Sequence, residues 1–247
     1  MTIPFEPIVL GIKINIHLIC EYFAFFIAFR YYSFLRKGYQ DYISSGNRLS
    51  IILGAIIGAL FGSRLIGYLE NPMISFNIVN VIRLLNTKSI MGGLFGGLIG
   101  VEVAKKIIRE KHSSGDLFTF PIILGIIIGR VGCFLTGINE FTYGIPTNFF
   151  TGMNLGDGQL RHPIALYEIA FLTLLFLILQ KFKPVLKHEN GLLFKVFMIS
   201  YFWFRFLIEF IKPNIFFIFG LSSIQWLCVI CWIYYRKTLF KSLKNAG

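Results

Sequence analysis

The sequence predicts an all-α, polytopic integral membrane protein with about seven transmembrane helices, its N-terminus outside and its C-terminus cytoplasmic. Composition points there first. Hydrophobic residues make up 55% of the 247 residues and charged residues 15%, where a soluble domain carries about 25% charge. Apolar runs near the length of a bilayer crossing recur along the chain. Basic residues gather in alternate connections between those runs. A chain with this little polar surface cannot cover its core in water. Disordered, coiled-coil and ordinary cytosolic-enzyme readings are excluded.

A helix crosses a bilayer with about 20 mostly apolar residues. Seven stretches qualify, near 14–35, 49–69, 90–107, 117–137, 163–180, 191–211 and 217–235. The third and fifth are short for a full crossing. A long aromatic segment, not a small-residue cleavage site, flanks the first run, so it is expected to be a span and not a cleaved leader. Cys20, Cys133, Cys228 and Cys231 all lie in apolar stretches. They read as buried hydrophobes and not as a disulfide framework.

Fifteen Lys and Arg fall in the connections after the first, third and fifth runs, in the ends of the runs leading into them (Arg30, Lys105, Lys106) and in the C-terminal tail, against five on the other side. Cytoplasmic loops collect basic residues, which sets the orientation. The same bias accounts for the net charge of +12 without nucleic acid. Two longer external connections are expected, near 70–89 and 138–162. The second is rich in Gly, Asn, Pro and Thr and has little helical periodicity. No repeat or second soluble domain is evident, so residues 1–247 read as one membrane domain.

Three arginines sit where lipid is expected: Arg64, Arg130 and Arg205. An arginine at a helix centre costs about 2.5–3.5 kcal/mol on insertion scales, so such residues face a cavity or a partner. Arg64 lies toward the outer end of its run, where snorkelling to the headgroups is the competing explanation. Glu209 follows Arg205 by four residues, on the same helix face. It either neutralises the guanidinium or orients it toward a ligand.

Gly92, Gly93, Gly96, Gly97 and Gly100 stud the third run. Close helix packing of the small-xxx-small kind is favoured over a phosphate cradle, because no Gly-Lys-Ser/Thr ending follows. Glu102 lies just beyond, near the cytoplasmic edge. The external loop ends in Gly156-Asp157-Gly158-Gln159-Leu160-Arg161-His162-Pro163, with Tyr167 and Glu168 just inside the fifth run. Pro163 is ordinary helix-start chemistry, and a carboxylate at Glu168 requires a partner. His162 reads as a base, a hydrogen-bond donor or an interfacial residue. Cys228-x-x-Cys231 lacks a thioredoxin-like context and reads as apolar filler. His112 and His188 look solvated, and no spacing suggests a metal site. Two arginines in a bilayer suit an oxyanion, because the guanidinium fork makes paired hydrogen bonds. The abundant oxyanion there is a phospholipid headgroup.

Several segments together resemble the prolipoprotein diacylglyceryl transferase family. Gly129-Arg130-Val131-Gly132-Cys133-Phe134-Leu135-Thr136-Gly137, continued by Tyr143-Gly144, looks like its signature. Arg161-His162-Pro163-Ile164-Ala165-Leu166-Tyr167-Glu168 and Phe204-Arg205-Phe206-Leu207-Ile208-Glu209-Phe210 look like two further family runs. Gly62 to Tyr68 resembles an earlier element, and Ser223-Ile224-Gln225 a polar start to the last span. The matches keep their order over most of the chain.

The resemblance implies transfer of the diacylglyceryl group of phosphatidylglycerol to the thiol of a prolipoprotein lipobox cysteine, in a bacterial inner membrane. Phosphatidylglycerol is then the co-substrate, and no metal or organic cofactor is implied. Arg130, Arg205 and His162 are the catalytic candidates. His17, Arg64, Glu140, Gly144, Arg161, Tyr167, Glu168 and Glu209 are the substrate-binding candidates. The chain departs from the family pattern in three places. Phe95-Gly96-Gly97 stands where the family has His-Gly-Gly, His17 stands for a tyrosine, and Cys133 stands for the signature asparagine, though cysteine there is not foreign to the family. The loop from Gly137 to Tyr143 is also longer. Phosphate handling looks retained and proton handling altered, with His17 or His162 as the substitute base. A paralogue with another acceptor, and a non-catalytic phospholipid binder, are the alternatives.

Overall fold

The computed structural model describes residues 3–9, 11–38, 42–70, 87–186, 191–214 and 218–238. Seven α-helices lie within them: α1 Ile16–Lys37, α2 Ser45–Glu70, α3 Ile90–Ile108, α4 Asp116–Thr136, α5 Ile164–Leu186, α6 Leu192–Ile208 and α7 Ser223–Tyr234. Four of these, α1, α2, α4 with its short continuation to Asn139, and α5, are long and apolar enough to cross a membrane. Most of the external connection expected at 70–89 falls outside the described residues, as do Arg83, Lys187, His188, Lys241 and Lys244.

The helices follow the apolar runs, with differences at their ends. α5 continues past residue 180 to Leu186, taking in Lys181 and Lys183. Long basic stems lie along an apolar helix while their heads reach water, so hydropathy alone stops such a helix too early. α7 begins at Ser223, not near 217. Ser222 accepts from the Gln225 backbone N–H while the Gln225 side chain accepts from the Ser222 N–H. This reciprocal cap satisfies two orphan donors and fixes the start.

The chain divides into two compact units. The first holds residues 1–40, 114–197 and 210–213, and so α1, α4, α5 and the start of α6. α1 approaches α4 closely: a Cβ on Gly132 would lie 2.7 Å from the Cys20 Cβ and 3.4 Å from the His17 Cα. Tyr32 stacks on Phe118 at 4.6 Å, and Phe120 meets Phe176 edge-on at 5.1 Å. Asp116, the first residue of α4, accepts hydrogen bonds from Gly191 N (2.8 Å) and Phe194 N (3.0 Å). A carboxylate there caps the otherwise unpaired N–H groups of α6.

The second unit holds residues 41–113, 198–209 and 214–247. Its spine is a glycine seam between α2 and α3. Gly54, Gly58 and Gly62 face Gly100, Gly96 and Gly92, and a Cβ on Gly58 would lie 2.2 Å from the Gly96 carbonyl oxygen. Glycines four apart on both helices leave no side chain between the backbones. The packing reading of the glycine run is therefore the observed one.

Phe23, Phe25, Phe26 and Phe29 on α1 are more than half exposed, as are Ile56, Ile57, Leu60, Phe61 and Leu65 on α2. Contiguous apolar surface of this extent is unfavourable in water and ordinary against lipid. The described residues are mostly helical, and their apolar framework is that of a multi-pass membrane protein.

Candidate active site

Arg130 lies in the last two turns of α4, 6% exposed. Its Nε stands 2.9 Å from Oε2 of Glu168. Pro163 precedes α5, so Glu168 comes about one turn into that helix and is fully buried. Charges removed from water in this way require each other, since an unpaired one costs several kcal/mol.

The same guanidinium approaches a second group. Its Nη1 is 3.6 Å from the Cys133 sulfur, three residues on along α4. That sulfur lies 3.5 Å from Nε2 of His17, in the first turn of α1. The other ring nitrogen of His17, Nδ1, is 3.4 Å from Glu140 Oε1. The close α1–α4 approach at Gly132 brings His17 to this place. The result is a continuous run of polar groups, Glu168, Arg130, Cys133, His17 and Glu140, drawn from α1, α4, α5 and one loop.

The loop between α4 and α5 is ordered by its own side chains. A 3-10 turn, Gly137–Asn139, is followed by a short hairpin of Met153–Asn154 and Leu160–Arg161. The Asn154 side chain accepts from the N–H groups of Gly156 and Gly158 across the turn. Both glycines have positive φ, +120° and +79°, which other residues adopt at a cost. Arg161 donates from Nε to Asp157 (2.7 Å), from Nη1 to the Gly144 carbonyl (3.3 Å) and from Nη2 to Gln159 (3.2 Å), and it lies over the Tyr143 ring. Its guanidinium fastens the loop. The Arg161 hydrogen bond holds the Asp157 carboxyl below the usual carboxylate range. Gly144 donates to the His162 carbonyl at 2.9 Å, and a Cβ there would lie 2.6 Å from the His162 Cβ. Only glycine fits that approach. His162 Nδ1 is 3.0 Å from the Tyr167 hydroxyl, which also meets Thr151.

In the second unit, Arg205 Nη2 donates to Glu209 Oε1 at 2.6 Å, with both residues buried. The pair spans the end of α6, where a 3-10 turn begins at Glu209. Asn214 completes it, donating to Glu209 Oε2 and to the Glu209 carbonyl. Gln225 donates to the Phe206 carbonyl at 3.1 Å. Arg64 donates from Nη1 to the Thr87 carbonyl at 2.8 Å, tying its helix to the following connection. Phe95 meets Phe202 with ring centroids 6.5 Å apart, so the place expected to carry a histidine is an aromatic contact. Cys228 and Cys231 are free thiols, fully buried. No group of three or more His, Cys, Asp or Glu that would hold a metal occurs among the described residues.

The family model described as prolipoprotein diacylglyceryl transferase matches residues 7–239, a span that includes every site residue above. The chain belongs to the prolipoprotein diacylglyceryl transferase family. Three relatives are each named phosphatidylglycerol–prolipoprotein diacylglyceryl transferase. One from Campylobacter hominis is 29% identical over 98% of this chain and 92% of its own length. One from Rickettsia bellii is 34% identical over 75% of this chain and 73% of its own. One from Wolbachia sp. subsp. Brugia malayi is 30% identical over 81% and 78%.

For this member of the family, the first unit gathers His17, Arg130, Glu140, Gly144, Arg161, His162, Tyr167 and Glu168. The second holds Arg64, Arg205 and Glu209. Glu168 has no partner legible in the sequence, and Cys133 reads there as a buried hydrophobe and a departure from pattern, not as a neighbour of Arg130 and His17. Sequence reasoning passed over Asn214. The signal for Asn214 was its position, a polar residue five beyond a glutamate at a helix end, where an amide commonly closes the last turn.

Proposed function

We propose that this protein transfers the diacylglyceryl group of phosphatidylglycerol to the lipobox cysteine thiol of prolipoproteins. The reading is supported by family membership across the whole site and, above all, by the buried Arg130–Glu168 pair beside the signature loop. The protein is read as a seven-span component of the bacterial inner membrane, with its N-terminus outside and C-terminus cytoplasmic. Phosphatidylglycerol serves as co-substrate, and no cofactor takes part.

The reaction is a displacement at carbon. The acceptor sulfur bonds to the terminal glyceryl carbon, the bond from that carbon to the phosphate oxygen breaks, and glycerol phosphate leaves. The main demand is charge stabilisation at the departing phosphate. Arg130 supplies it on this reading, with Glu168 fixing the guanidinium plane so that little reorganisation accompanies bond breaking. Arg205, held by Glu209 and Asn214, is the second arginine assigned to the reaction. Gly144 and Arg161 shape the loop against His162, which with Tyr167 offers hydrogen bonds to the substrate headgroup.

The test is expression in bacteria depleted of their own diacylglyceryl transferase, with mass spectrometry of a reporter lipoprotein. The expected result is rescue with the diacylglyceryl group on the reporter cysteine. Protein present in the membrane with no modified reporter overturns the assignment of acceptor. Release of glycerol phosphate from phosphatidylglycerol by purified protein then separates another acceptor from a non-catalytic lipid binder.

A further inference from the structure

We propose that Glu140, His17 and Cys133 form the proton relay that deprotonates the incoming thiol; this rests on the transfer reading above.

His17 and Cys133, on two different helices of the first unit, are in contact. His17 Nε2 and the Cys133 sulfur are 3.5 Å apart, and neither lies in the other's helix. Together they make an acid–base pair. Glu140, 3.4 Å from Nδ1, orients the ring so that Nε2 faces the sulfur and balances the charge of an imidazolium. Three other charged groups bear on the pair, as does the Cys20 thiol of α1, beside Gly132. Glu21 lies on the same helix, close enough to act on the imidazole through its charge. Arg130 approaches the Cys133 sulfur at 3.6 Å from α4. Glu168 pairs with that arginine from α5. Glu6, on the N-terminal segment, is engaged by Lys13 and Asn139.

The sulfur of Cys133 thus joins two ends of one reaction. Arg130, assigned to the leaving phosphate, approaches it at 3.6 Å, and His17 at 3.5 Å. Cys133 also lines a small crevice with Gly137, Thr142, Tyr143 and Pro163 from the signature loop and the start of α5.

The step balances as follows. The Cys133 proton passes to His17 Nε2. The acceptor's S–H proton passes to the Cys133 sulfur, and the electron pair left on the acceptor sulfur forms the bond to the glyceryl carbon. The carbon–oxygen bond to phosphate breaks, its electrons remaining on the phosphate oxygen. The imidazolium then returns its proton to the glycerol phosphate or to water.

The test uses purified full-length protein in phosphatidylglycerol vesicles and a lipobox peptide carrying either cysteine or selenocysteine. Diacylglyceryl peptide is read by mass spectrometry from about pH 5 to 8, and bound phosphatidylglycerol is counted on each variant. His17→Gln is expected to slow transfer to the cysteine peptide about 100-fold or more and to remove the limb of the pH profile that the imidazole sets. A selenol is ionised at neutral pH, so the selenocysteine peptide restores most of the rate to His17→Gln and Cys133→Ala. It does not restore Arg130→Ala. Wild-type-like transfer by His17→Gln overturns the relay, as does an equal deficit with both peptides on a variant that still binds lipid. Glu140→Gln keeps size and removes only charge, so it decides the matter should His17→Gln fail to fold: an unchanged rate and pH profile overturn the relay. No transfer by the wild-type protein overturns the transfer reading itself.

Discussion

Glu168 meets Arg130 at 2.9 Å across two helices, fully buried on one side and 6% exposed on the other. Removing one partner strands a charge in a medium that cannot solvate it. Glu168→Ala is expected to lower stability by about 3–5 kcal/mol, read as unfolding in mild detergent. The double change Arg130→Met with Glu168→Leu removes both charges and is expected to recover most of that loss, yet to show no transferase activity. Arg130→Lys keeps the charge but loses the planar fork. It is expected to fold and to lose about 100-fold or more in turnover, measured as diacylglyceryl peptide formed per enzyme.

How much of this was legible in the sequence depends on the range of each interaction. Arg205 and Glu209 are four apart on one helix, so their pairing follows from helical period alone, and the structure has it. Arg130 and Glu168 lie on different helices, and nothing local tells which buried carboxylate faces which arginine. His17 and Cys133 are separated by 116 residues, and each alone looked like an isolated departure. The glycine run announced close packing, but not that α2 was its partner. The hairpin at 153–161 was missed because each strand is two residues long, too short for alternation to register. Its signal was the spacing of Asn154, Gly156 and Gly158, which makes a side-chain-capped turn. Helix ends moved where lysines continue an apolar helix, as in α5, and where caps, as at Ser222, outrank hydropathy.

The glycine seam gives a matched pair of substitutions in one helix. A Cβ on Gly58 would sit 2.2 Å from the Gly96 carbonyl oxygen, while Gly46, at the start of α2, has nothing within 4 Å. Gly58→Ala is expected to destabilise α2 against α3 by about 1–3 kcal/mol, because backbone and not a flexible side chain must move. Gly46→Ala is expected to be neutral or stabilising by about 0.5–1 kcal/mol from helix propensity. Chemical denaturation in detergent, followed by helical circular dichroism, compares the two. Equal effects would mean that the seam is not tightly packed in solution.

Asp116 belongs to α4 but caps α6 through Gly191 N and Phe194 N. Asp116→Ala leaves those donors without their carboxylate and is expected to cost about 1–2 kcal/mol. Asp116→Asn retains an acceptor and is expected to lose less, since only the favourable charge at the helix start is gone. Amide hydrogen exchange in the first turn of α6 is the direct readout. Faster exchange at residues 192–195 in the alanine variant, with α7 unchanged, is the expected pattern.

The Asp157–Arg161 contact gives the loop a defined pH response. The Asp157 carboxyl is held below its ordinary range chiefly by the Arg161 hydrogen bond, helped by the Gln159 N–H. A carboxyl whose folded value lies below its unfolded one stabilises the ordered loop fully above the ordinary carboxylate range. That contribution fades as pH falls through the range and is gone once the folded group is protonated. Loop opening at residues 153–161, read from hydrogen exchange corrected for its intrinsic pH dependence, should therefore be slow and flat at neutral pH and rise on acidification. Asp157→Asn is expected to remove that acid limb and to leave the loop at its loosened rate throughout. Arg161 would then keep its bonds to Gly144 and Gln159, so the hairpin persists at neutral pH with faster exchange. An acid limb that survives in Asp157→Asn would assign the response to another group.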